Sequence, residues 1–121
     1  MINTITSYFE TCLKYGGYKV ILFIDKSNFD TVKDLLSNEL DKKYKVSFDY
    51  SETENIITFT SGFNSVFMVL LMDDTIDENI TFNTALIDEC LKGKDDNIKT
   101  FAEIYNDGLS DYPPEYKYLK F

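Results

Sequence analysis

The chain predicts one small domain of α/β or α+β class, with about five strands and three helices, and three observations support this. Apolar positions recur at helical spacing in three stretches, and β-branched and aromatic runs of strand length lie between them. The composition, 44% hydrophobic and 16% aromatic over 121 residues, is that of a globular protein. A chain of this length falls in the usual range for one domain. One core can then bury roughly two-thirds of the unfolded surface, so neither disulfides nor metals are needed for folding. No repeat, low-complexity tract or linker divides residues 1–121, and 108–121 reads as a flexible or extended tail.

Ile2, Ile5, Tyr8, Phe9, Cys12 and Leu13 put one apolar face on a helix over 2–15, which Gly16-Gly17 ends. The apolar run 18–24 follows and reads as a buried strand. Ser27 and Asp30 have the spacing of a capping box, and Phe29, Val32, Leu35, Leu36 and Leu40 make an amphipathic helix over 28–42.

The period then changes. Val46, Phe48 and Tyr50 alternate with Ser47 and Asp49, as in a half-buried strand. Residues 56–60 form another, and 66–72, apolar on both faces, should be central. Their short links predict an antiparallel meander over 44–72. An acidic loop (73–79) precedes the short apolar run Ala85-Leu86-Ile87. Ile98, Phe101, Ala102 and Tyr105 mark a third helix, opened by Asp95-Asp96 where its dipole favours acids. The aromatic segment 112–118 reads as extended rather than helical.

Charge narrows the chemistry. Twenty-one acids face 12 basic residues, all of them Lys, and there is no His, for a net charge of −9. Without Arg or a basic patch, direct binding of nucleic acid is not expected. Without His, a general base at neutral pH would need a strongly shifted carboxylate, Lys, Tyr or Cys. Without Arg, the usual clamp on a transferring phosphoryl group is missing. The expectation is therefore a protein that is not an enzyme, with no cofactor and no bound metal. Asp73, Thr75, Asp77 and Asn79 alternate like ligands of a calcium loop, but Glu78 replaces the required Gly and Thr84 the closing Glu. Cys12 and Cys90 are expected as buried free thiols, with a disulfide as the alternative. No leader or membrane-length apolar run is seen, so a cytoplasmic protein without membrane contact is expected.

The most specific pattern is Thr84-Ala85-Leu86-Ile87-Asp88-Glu89, an apolar strand ending in Asp-Glu, as in a Walker B motif. Its position after strand 18–24, helix 28–42, an antiparallel excursion and an acidic loop resembles the ATPase half of phage large terminase subunits over residues 17–90. That resemblance implies a P-loop fold in which strands 18–24 and 84–88 lie parallel in one sheet. The phosphate-binding GxxxxGK[ST] loop of such proteins is absent, and Tyr15-Gly16-Gly17-Tyr18-Lys19 has neither its length nor its Ser or Thr. The resemblance thus implies a half-domain without ATP hydrolysis, which binds a larger ATPase or self-associates.

The acids suggest another reading. Asp73, Asp74, Asp77, Glu78, Asp88, Glu89, Asp95 and Asp96 crowd a span holding two Lys, and spaced carboxylates can imitate a phosphate backbone. Tyr112, Tyr116 and Tyr118 are candidate anchoring contacts. In composition the chain is similar to small acidic phage-encoded anti-defence inhibitors, including anti-CRISPR proteins. That similarity implies a module whose acidic surface blocks a basic nucleic-acid-binding partner such as a host nuclease.

Overall fold

The computed structural model describes residues 2–39, 48–53, 56–62, 64–72, 82–93 and 115–121. Helix α1 (Ile2–Lys14) leads into strand β1 (Lys19–Ile24), followed by helix α2 (Lys26–Glu39). Strands β2 (Phe48–Glu52), β3 (Ile56–Ser61), β4 (Val66–Leu71), β5 (Thr84–Asp88) and β6 (Glu115–Leu119) follow, with a 3-10 turn at Glu89–Leu91 after β5. The strands form one mixed sheet in the order β2-β3-β4-β1-β5-β6. β4, β1, β5 and β6 are parallel neighbours, while β2, β3 and β4 are joined antiparallel.

The expectation of about five strands and three helices is corrected by this arrangement: the sheet has six strands, and two α-helices stand among the described residues. The α/β class holds. The added strand is β6, in the segment read as an extended aromatic tail. Residues 89–114 separate it from its partner β5, so a local pattern could not announce the pairing. The helix expected at 98–105 falls outside the described residues. α2 (Lys26–Glu39) begins at Lys26 rather than at 28, so Ser27 lies inside it and Asp25 precedes it, and residues 40–42 of the expected helix fall outside the described residues.

Alternation along β1 explains its central place. Val20, Leu22 and Ile24 face the two helices, and Ile21 and Phe23 face the other side, all buried. On the helix side, Ile5, Phe9 and Cys12 of α1 and Val32 and Leu36 of α2 join residues from all six strands in one cluster. Phe9 lies at its middle, with ring centroids 5.4 Å from Phe48, 5.3 Å from Phe59 and 4.7 Å from Phe67. Offset and edge-on rings at such distances add to the value of the buried area. The opposite face gathers Ile21, Phe23, Phe82, Ala85, Ile87 and Leu91, with Met68, Leu70, Tyr116 and Tyr118 half-buried against them.

Hydroxyls bind the N-terminal ends of the parallel strands. Ser65, fully buried, donates from Oγ to the Tyr15 carbonyl and accepts from the Tyr18 N–H at 3.0 Å. Tyr18 Oη and Thr84 Oγ1 lie 2.5 Å apart, which joins β1 to β5. Between α1 and β1, Gly17 takes φ of 68°, a left-handed conformation that favours Gly at a helix end.

Candidate functional site

The opposite end of the sheet carries the chemistry that the sequence points to. From β1 the chain proceeds to β4 on one side and returns later to β5 on the other, so strand order reverses around β1. In open α/β sheets ligands bind outside the carboxyl ends of strands at such a reversal. Two aspartates stand there. Asp25 follows β1 directly, and Asp88 is the last residue of β5.

Asp88 is fully buried, and both its carboxylate oxygens are engaged. Oδ2 accepts from the Asp25 N–H at 3.0 Å and from Asn28 Nδ2 at 2.9 Å. Oδ1 accepts from the Cys90 N–H at 3.0 Å, which opens the 3-10 turn. Asp25 in turn starts α2. Its Oδ2 accepts from the Ser27 N–H at 3.1 Å, and its carbonyl from the Asn28 N–H at 3.0 Å. The first turn of α2 is thereby tied to the end of β5 through one buried carboxylate. Charge-assisted bonds of this kind are the stronger class.

One residue, Asp25, separates β1 from α2, so no loop long enough to wrap a phosphate chain lies between them. The donors at the start of α2 that would face such a group are directed at Asp88 and Asp25 instead. These residues do not fit a nucleotide with its magnesium ion. Among the described residues, no three His, Cys, Asp or Glu side chains converge as metal ligands.

Beside this cluster the Cys90 thiol is exposed rather than buried, which corrects the expectation for that residue, whereas Cys12 is buried and both are free. The negative charge of Asp88, followed by partial burial, pushes the Cys90 thiol above its ordinary pKa. It therefore stays protonated at neutral pH, the opposite of an activated nucleophile.

The other candidate residues separate widely. Asp73, Asp74, Asp77, Glu78, Asp95, Asp96 and Tyr112 lie outside the described residues, as does the acidic stretch considered for calcium. Asp88 is interior, so its carboxylate is not part of an acidic surface; Glu89, next to it, is exposed. Tyr116 and Tyr118 occupy alternate positions of β6 and are half-buried on the face away from the helices. Tyr116 stacks edge-on to Phe82 at 6.5 Å, and Lys92 Nζ sits 5.3 Å from the Tyr118 ring centroid. Asp25 and Asn28 escaped the sequence reading, yet a signal was present: Ile24-Asp25 and Ile87-Asp88 both close a buried strand with an aspartate. No helix among the described residues is long and apolar enough to cross a membrane.

No family model and no curated protein matches the chain. Among solved structures it is similar to the large terminase from a thermophilic bacteriophage, with a TM-score of 0.54 and 12% identity over 93% of this chain. The chain spans 28% of the length of that terminase. A likeness at this identity is one of fold. The sheet agrees with the resemblance read over residues 17–90, since β1 and β5 are adjacent and parallel, with Val20 beside Thr84 and Phe23 beside Ile87. The likeness to anti-CRISPR inhibitors has no counterpart among these matches. The fold of this chain is weakly terminase-like.

Proposed function

We propose that the chain is a non-catalytic docking module on a terminase-like scaffold, which binds a larger ATPase or another copy of itself. The observation that carries this reading is the junction of β1, α2 and β5. Where a P-loop protein holds phosphates and magnesium, this chain has a one-residue link and a buried carboxylate that accepts three N–H donors. Asp88 here joins two elements instead of serving a nucleotide.

Two measurements test the reading. A titration with a fluorescent ATP analogue and magnesium should show no saturable binding, and saturable binding blocked by unlabelled ATP would sink it. Affinity capture from phage-infected cells, followed by reconstitution from purified components, should yield a stable complex with a larger ATPase or a concentration-dependent oligomer. A purified chain that forms neither contradicts the docking role.

The net charge of −9 favours a second reading, in which the acidic surface blocks a basic nucleic-acid-binding protein. In that case the chain competes with DNA or RNA for the partner, and the competition weakens as salt rises. A partner bound equally well with its nucleic acid in place would exclude it.

A further inference from the structure

The outer edge of β2 combines three features that together describe a binding surface. Among the described residues β2 pairs with β3 alone. The hairpin fixes which backbone groups face outward. Thr53 N–H donates to the Ile56 carbonyl at 2.8 Å, so that pair is hydrogen-bonded. Antiparallel ladders alternate bonded with non-bonded pairs. Ser51 opposite Thr58 and Asp49 opposite Thr60 therefore direct their amides at β3, and Tyr50 and Glu52 direct theirs away from the sheet.

The second feature is Tyr50. It is 48% exposed, although its ring lies 5.4 Å from that of Phe59 and its hydroxyl donates to Glu52 Oε2 at 2.5 Å. Glu52 is itself ion-paired with Lys33 of α2. Lys33 and the tyrosine hydroxyl hold the Glu52 carboxyl below its usual range, which keeps it an acceptor. An aromatic side chain both exposed and fixed loses little freedom on contact, as interface anchors require.

The third feature is charge. Asp30 and Asp34 of α2 act on Lys33 from the same surface, and Asp49 lies on β2 itself. Among the described residues, four exposed carboxylates (Asp30, Asp34, Asp49, Glu52) thus lie on β2 and the neighbouring turns of α2, with the Lys33 ammonium between them. Charges on an edge strand oppose pairing with an identical edge. Here they exclude a second β2 and attract a strand of opposite sign.

We propose that the β2 edge docks an extended Lys- or Arg-bearing segment of a protein partner, which adds to the sheet through the Tyr50 and Glu52 backbone and seats against the Tyr50 ring. This deepens the docking role proposed above and rests on it. Main-chain pairing supplies the affinity, and the alternating side chains of the added strand supply the choice of partner.

The test uses the whole protein, labelled with ¹⁵N, and a short peptide alternating Lys and Val, with a Glu/Val peptide as control. Bound Lys/Val peptide should slow exchange of the Tyr50 and Glu52 amides by about tenfold and leave Asp49 and Ser51, already paired, unchanged. The Glu/Val peptide should do neither. Tyr50→Ala should weaken the Lys/Val peptide by about tenfold. Asp49→Lys, an exposed change that spares the core, should weaken it as well. Binding without protection of the two amides, or no binding, overturns the proposal. A natural partner that binds while leaving both amides unprotected also overturns it, but leaves the docking role standing. If no natural partner binds, it is the docking role that fails.

Discussion

Asp88 shows how a residue legible in sequence can take a role that only its neighbours define. An aspartate closing an apolar strand was plain from the Thr84–Glu89 pattern, and the sheet places it as the terminase resemblance requires. Its partners were not legible, because Asp25 and Asn28 lie 63 and 60 residues away in sequence. The bonds predict a specific cost. Asp88→Ala strands two N–H donors and an amide at a buried site, for a loss of about 2–4 kcal/mol, seen as a lower urea midpoint at unchanged slope. Asp88→Asn keeps the shape but removes the charge that raises the Cys90 thiol pKa. A lower thiol pKa means more thiolate at a given pH, so Cys90 in folded Asp88→Asn protein should alkylate faster with iodoacetamide than in the parent. Equal rates would show that the charge of Asp88 is not what restrains it. Cys12, whose pKa burial raises to about 11, should stay unreacted in both proteins.

At the scale of elements, the sequence was most informative where a strand has two buried faces or a helix one apolar stripe. α1, β1 and β4 were plain for that reason, and the antiparallel β2-β3-β4 hairpins followed from short links. β6 was missed because it is half-buried, follows Pro113-Pro114 and takes its partner from a distant part of the chain. Its period of two was nevertheless present, with Tyr116 and Tyr118 on one face and Leu119, 6% exposed, reaching the helix-side cluster on the other. A tail that merely lay against the surface would tolerate truncation of Leu119. As a strand whose leucine belongs to the core, it should not. Leu119→Ala is expected to cost about 2–4 kcal/mol, and Lys117→Ala, exposed on the same strand, within about 0.5 kcal/mol of nothing. Thermal unfolding of the two variants side by side decides it, and equal melting temperatures would remove β6 from the cooperative unit.

Across the whole molecule, charge acts on folding and on binding with opposite signs. Twenty-one acids against 12 Lys leave a surface that repels itself, and the Lys33–Glu52 ion pair between described residues lies at that surface. Exposed pairs of that kind contribute little, so added salt should screen more repulsion than attraction. The melting temperature is therefore expected to rise by about 2–4 °C from low to moderate salt, equivalent to roughly 0.5–1 kcal/mol. A basic partner held by the same carboxylates should meanwhile be released over the same range, since screening weakens attraction between unlike charges. The two readouts together separate electrostatic docking from a general effect of salt on the fold: a chain that loses its partner because it unfolds would lose stability too. If the melting temperature falls with salt instead, attractive pairs dominate the surface, and the net charge is a poor guide to what the protein binds.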